Sequence, residues 1–588
     1  GRIDEAWEAV QDDGLLAHPI AGFEARRLKG QIETVRLAVS EVDTPSAPNI
    51  APSGEELVDA VTTFIGLVFE GDERDELVQA AERLDPSNRL DPNEKAGFER
   101  LQKVLNRGEA LLSRGGANSE IAVRSVVRNA SAIFVHNQPE QKRIHESLRA
   151  LTEALVWAKD HGIRDLHDDA LWGTYLCYSR LEQPSLAADA LIALRRSLER
   201  ARAGIADPLR RGGVFTAYRH LFSATCDMLH RSRRTADLLV AVEASKGRVI
   251  ADRLTQSRGE VVTDAAILRA TRVLPELCRT NQFGYLTLFV DDTCVYGVLV
   301  SKAGTLHELD PLPITSDAIR TASEARPTMW GRLDPKSKGK RWPDAGHVLS
   351  PLGDRLTAWL HDGVLEDDDH LCVSGDDALV NIPLQLVELD SGRIVDRLSI
   401  SRIHSASLLV HLLERPPGPR PSRAVGVVVP TRDDMDRDIG TQMLANLDEP
   451  IRWLHEHGLQ GPDLRLDDAT PATLAASNLS NAVLHLSAHG WFPPRGNPFR
   501  ESYLLLADAD GLPRATGTIQ GSKLTPEHLV TQPMNLSGSH VSMMACLSGL
   551  AKEGIGGDSL GLDWALVQCG ARSLISTHWK VGAADASL

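Results

Sequence analysis

Apolar positions along the chain follow two periods. From Gly1 to about Gln256 they recur at helical spacing, as in EELVDAVTTFIGLVFEG and DALIALRRSLERARAG, separated by polar or Pro/Gly-rich breaks such as DTPSAPNIAPSG. Helix after helix is expected there, with almost no strand. Near residue 280 the grammar changes. FGYLTLFVDDTCVYGVLVSKAGTLHELDPL reads as two or three antiparallel strands with turns at Asp291-Asp292 and Ala303-Gly304. HLCVSGDDALVNIPLQLVEL then reads as a strand, a polar turn and another apolar segment, and RPPGPRPSR, residues 415–423, as a linker.

Beyond the linker, apolar runs (AVGVVVPT, AVLHLSAHG, HVSMMACLSG, ARSLISTHW) alternate with helical stretches. The pattern predicts an α/β domain with a mostly parallel sheet and helices on both faces, whose working residues cluster at the carboxyl ends of strands. The expected domains are a helical region over 1–256, a connecting segment over 257–279, and two α/β parts over 280–414 and 424–588.

A run of helices invites a search for repeats. Residues 169–201 look like a tetratricopeptide helix pair, with Trp172, Tyr175 and Tyr178 on the first helix and Ala187, Ala188 and Leu191 on the second. No second copy keeps a clean 34-residue period, so an irregular helical bundle stands as an equal alternative. Either arrangement offers an extended surface for protein contacts.

Composition narrows the function classes. At 588 residues the chain is too long for one core. A net charge of -16 repels phosphate backbones, so direct generic nucleic-acid binding is not expected, and protein or peptide partners are. No window approaches a membrane span, and none is expected. Seven cysteines, at 177, 226, 278, 294, 372, 546 and 569, show no CxxC pair. Such sparse thiols suit a reducing cytoplasm, and without a basic-then-apolar run in the opening residues a secretory signal is not expected. The chain begins at Gly1 without methionine, and a longer natural start is expected.

Two residues carry candidate chemistry. His489 is expected to end one strand, beside Gly490, and Cys546 the next, on the same edge of a parallel sheet. Cys546 lies 57 positions after His489, near the roughly 50-residue spacing between a caspase histidine and its cysteine. A thiolate attacks a peptide carbonyl, an imidazole carries the proton to the leaving amine, and the Gly490 and Cys546 amides would face the oxyanion. Taken singly, a cysteine in an apolar strand is most often a small buried hydrophobe. His485, four residues before His489, shares its face and reads as a core or supporting residue. A metal pair of histidines lacks third and fourth ligands nearby.

VLHLSAHGWF, SYLLLADADG and HVSMMACLSGLAKEGIGGDSLGLDWALVQCGARSLISTHWKV together resemble the CHAT domain, the caspase-like peptidase domain often joined to tetratricopeptide repeats. Upstream, VAVEASKGRVIADRL is similar to the helix that joins repeats to this domain, and FGYLTLFVDDTCVYGVLV contains a segment similar to its opening hairpin. The segment LVNIPLQLVELDSGRIVDRLSISRIHSASLL is similar to its middle part. The resemblance covers about residues 240–585 and implies a caspase-like cysteine endopeptidase with no cofactor, in which 280–414 is a pseudo-caspase part. It assigns His489 as general acid/base, Cys546 as nucleophile, and Gly490 with the Cys546 amide as oxyanion hole.

Departures from the family pattern matter too. Leu547 stands where many relatives have an acidic or polar residue. Asp558 stands where relatives often have Glu; it would orient a partner or line the cleft, or simply cap a helix. Relatives continue past Trp-x-Val to a last strand, whereas this chain stops at VGAADASL, so a natural tail is expected. The resemblance further implies a protein substrate, a regulatory protein or ribonucleoprotein partner acting through the helical region, and a place in bacterial defence. The competing reading is a catalytically silent helical-repeat scaffold.

Overall fold

A computed structural model describes residues 141–203, 205, 219–246, 264–324, 348–414, 419–436, 439–493, 498–514, 521–545, 552–553 and 559–577. The helices expected before residue 141 lie outside the described residues. The chain divides into two compact units, one comprising residues 1–204 with 216–233 and the other 205–215 with 234–588. Among the described residues no helix is long and apolar enough to cross a membrane.

In the first unit the described helices are α1 (Gln141–Asp160), α2 (Arg164–Arg180), α3 (Pro184–Ala203) and α4 (Arg219–Arg231), each packed on the next. Alanines let α1 and α2 approach closely: Leu151, Ala154 and Ala158 meet Leu166, Ala170 and Cys177 in one buried cluster. Gly162 (φ +69°) supplies the left-handed turn between them. Ala187, Ala188 and Leu191 are fully buried on α3.

Among the described residues the second unit holds two large sheets, besides two two-stranded ones. The first comprises β1 (Phe283–Val290), β2 (Val295–Val300), β3 (Leu306–Leu312), β4 (His370–Ser374) and β5 (Ser399–Arg402), in the order β3-β2-β1-β4-β5. Helices α5 (Thr235–Ser245) and α6 (Asp264–Asn281) pack against β1 and β2. Leu286, Leu288 and Val290 of β1 share a core with Leu352, Leu356 and Trp359 of α7 (Ser350–His361).

The second sheet comprises β6 (Arg423–Val429), β7 (Asp463–Arg465), β8 (Ala482–Trp491), β9 (Tyr503–Leu506), β10 (Ser522–Leu524), β11 (His540–Met544) and β12 (Ser573–Ile575). On one face Val425, Val427, Leu484, Leu486, Val541 and Met543 bury against Leu529, Trp564 and Leu566. On the other, Ala424 and Val428 pack beneath Met443, Leu447 and Ile451 of α9 (Ile439–Glu456), which follows the single-turn helix α8 (Arg432–Met435). A Cβ at Gly426 would stand 2.9 Å from Ile451, so the glycine sets how closely that helix packs.

The sheets are mixed, which corrects the expectation of a mostly parallel one. In the first, β1/β2 and β2/β3 are antiparallel, β1/β4 and β4/β5 parallel. In the second, β8/β9 and β9/β10 are antiparallel, while β8 runs parallel to β6 and β11, β6 to β7 and β11 to β12. The antiparallel hairpin expected with a turn at Asp291-Asp292 is present, closed by the Asp291 N–H to Cys294 O bond of 2.8 Å, and a turn that tight can join only antiparallel strands.

The two sheets also repeat one design. The β1/β4 register runs from Phe283 opposite His370 to Thr287 opposite Ser374. The β8/β11 register runs from Val483 opposite His540 to Ser487 opposite Met544. Each entry histidine bonds a serine on the next strand: His370 Nε2 to Ser401 Oγ at 2.9 Å, and His540 Nδ1 to Ser573 Oγ at 2.7 Å. By this register Phe289 and Val290 correspond to His489 and Gly490.

Candidate active site

Alternation along β8 separates its two faces. Leu484, Leu486 and Ala488 enter the core, so His485, Ser487 and His489 share the opposite face. His489 stands at a change of neighbour. Parallel pairing with β6 ends at Ala488 opposite Val429, and antiparallel pairing with β9 begins at His489 opposite Leu505. The strand itself continues to Trp491, so His489 lies just inside its end.

Where β6 stops, the chain turns through Thr431 into α8. A capping box holds this turn: the Asp434 N–H donates to Thr431 Oγ1 at 3.2 Å, and the Thr431 N–H donates to Asp434 Oδ2 at 2.8 Å. The same Oδ2 lies 2.6 Å from His489 Nε2. Burial alone would raise the Asp434 pKa. The hydrogen bond and charge of His489, then the Thr431 hydroxyl and amide, outweigh burial and bring it from 3.8 to about 2.

Sequence reasoning missed Asp434. Its only local sign is Thr431-x-x-Asp434 directly after an apolar strand, a helix-start pattern that says nothing of a histidine 55 positions downstream.

His485 is half-buried on the face it shares with His489, and burial lowers its pKa. Gly490 pairs with Leu504 across the β8/β9 edge. Cys546 and Asp558 lie outside the described residues. The description on that side reaches Ala545, whose carbonyl accepts the Thr577 hydroxyl just past β12. Among the described residues no group of three or more His, Cys, Asp or Glu is placed to hold a metal ion.

The corresponding end of the first sheet is filled. The Val290 N–H donates to Asp376 Oδ1 at 2.8 Å. Lys246, 2% exposed, donates from Nζ to Leu288 O at 2.9 Å and Ser374 O at 2.6 Å. Glu243 of α5 accepts from the Tyr285 hydroxyl at 2.8 Å, the Thr287 hydroxyl at 2.6 Å and the Ala406 N–H at 2.7 Å. Burial and the Lys246 charge push His404 down to about 4, so its imidazole is neutral at pH 7.

Residues 347–587 match the family model described as CHAT domain. This is a family of the caspase-like cysteine-peptidase type, and the C-terminal mixed sheets and helices, of which the match takes in β4, β5 and the second sheet, fit such an α/β domain. The match does not reach the N-terminal helices, for which a tetratricopeptide assignment stays a proposal. No curated protein matches the chain.

Proposed function

We propose that the second sheet carries a cysteine endopeptidase site in which His489 is the general acid/base and Cys546 the nucleophile. One observation carries this reading. Every residue of β8 paired with β11 faces a residue 57 positions ahead, 540 against 483 through 544 against 487, and the same offset separates His489 from Cys546. Parallel partners at one register level project to the same face from strands about 4.8 Å apart. Continued for two residues, the same register would bring imidazole and thiol to one level on neighbouring strands.

The chemistry then runs in two steps. The Cys546 sulfur, its proton passed to His489, attacks the substrate carbonyl carbon and pushes the electron pair onto oxygen. As the tetrahedral adduct collapses, the C–N bond breaks and the amine leaves with the proton from His489, giving a thioester. His489 next takes a proton from water, hydroxide displaces the sulfur, and acid and thiol are regenerated. The Gly490 and Cys546 amides are the proposed oxyanion donors. The first sheet supports the former: its amide at the corresponding position, Val290, donates to an anionic oxygen at the strand end.

The same proposal gives control of the cleft to a protein or ribonucleoprotein partner bound to residues 1–256, in a bacterial defence setting. Candidate proteins incubated with the wild type and with Cys546→Ala, followed by sequencing of new termini, test the assignment. New termini are expected with the wild type alone. Undiminished cleavage by Cys546→Ala would overturn the assignment, and no new termini with either protein would favour the scaffold reading.

A further inference from the structure

Three donors converge on one oxygen of Asp434. Oδ2 accepts the Thr431 N–H at 2.8 Å, the Thr431 hydroxyl at 2.6 Å and the His489 ring at 2.6 Å. The carboxylate side chain is only 12% exposed, while the His489 side chain is 37% exposed and so still reaches solvent. An ionised carboxylate only accepts, so Nε2 of His489 must carry the proton in either charge state of the ring. In the neutral ring the basic lone pair then sits on Nδ1.

The turn presenting Asp434 is itself held. Thr431 is 1% exposed. Arg432 donates its N–H to Pro513 O and its Nε to Leu512 O, both at 2.9 Å, which ties α8 to the turn after β9. A helix of one turn has little stability of its own, so these clamps fix where the carboxylate stands.

We propose that Asp434 is a positioning residue for the reaction, an inference resting on the peptidase reading of His489 and Cys546. It holds the ring in the Nε2–H form, leaves Nδ1 to exchange the proton with the thiol, and stabilises the imidazolium formed when the thiol ionises. Asp434 takes up no proton itself. An orienting carboxylate of this kind acts through the tautomer of its histidine.

The test uses the full chain labelled with 15N-histidine, the His489 signals being assigned by their loss in His489→Gln. A ring that keeps its proton on Nε2 is expected in the wild type. Asp434→Asn should mix the tautomers and slow alkylation of Cys546 by iodoacetamide about 10- to 100-fold. Asp434→Glu, which keeps the charge and a Thr-x-x-Glu box, should restore both. A wild-type ring with Nε2 unprotonated and the proton on Nδ1 overturns the proposal. So does an Asp434→Asn protein with unchanged tautomer and alkylation rate. Continued cleavage by Cys546→Ala with the Nε2–H ring intact would instead remove the peptidase reading and leave the tautomer clamp standing.

Discussion

Val290 gives its main-chain N–H to the carboxylate of Asp376 at 2.8 Å, both residues being almost wholly buried. In the shared register of the two sheets they stand where Gly490 and Cys546 would be counted in the second. One copy of the strand end is thus sealed by an internal anion, and its counterpart carries the proposed chemistry.

Asp376→Ala removes the acceptor of a buried amide, and an unsatisfied donor of that kind costs about 1–3 kcal/mol. Asp376→Asn keeps a carbonyl oxygen there and should lose less. Urea unfolding measures both. On the proposed assignment the sealed end is not the reacting one, so Asp376→Asn should leave alkylation of Cys546 unchanged; a large drop would mean that the first sheet takes part in the chemistry.

Lys246 and Glu243 bind α5 to the ends of β1 and β4 and to the start of the helix that begins at Ala406. Burial lowers the Lys246 pKa, and the Glu243 and Asp376 charges oppose the drop. Lys246→Met takes the buried donor away from Leu288 O and Ser374 O and should cost about 1–3 kcal/mol. Lys246→Met with Glu243→Gln should cost less than the sum of the two single changes. Strict additivity in unfolding measurements would show that the two charges act independently.

Acid should reveal the Asp434 contact. Its folded pKa of about 2 lies below the ordinary 3.8, so the stability it contributes is present above about pH 4 and is lost as pH falls through 2. A shift of that size corresponds to about 2 kcal/mol. Wild type and Asp434→Asn should differ by about this much in unfolding free energy at pH 6 and converge as pH falls from about 4 to about 2. A gap that widens on acidification would contradict an ionised, hydrogen-bonded carboxylate.

What could be read without coordinates follows period and local chemistry. AVLHLSAHGW alternates strictly enough to separate Leu484, Leu486 and Ala488 from His485 and His489, and the 57-residue spacing already held the strand register. Strand direction was less legible. The run Tyr503–Leu506 is buried throughout, and such a run does not distinguish a parallel from an antiparallel neighbour, so the mixed sheet escaped. Long-range polar contacts left no periodic trace: Glu243 meets Tyr285, Thr287 and Ala406, at separations of 42, 44 and 163 residues. Asp434 was hidden in the same way, because a capping carboxylate looks alike whether or not a histidine joins it.

Activation of Cys546 by His489 would show in alkylation of the full chain by iodoacetamide at pH 7, mapped cysteine by cysteine. Burial pushes Cys177 and Cys278 up to about 12 and Cys372 and Cys569 to about 11, so these thiols hold almost no thiolate at that pH. Cys546 should react at least about tenfold faster than any of these four, and His489→Ala should remove most of that advantage. A Cys546 no more reactive than Cys569, or one indifferent to His489→Ala, would contradict the pairing.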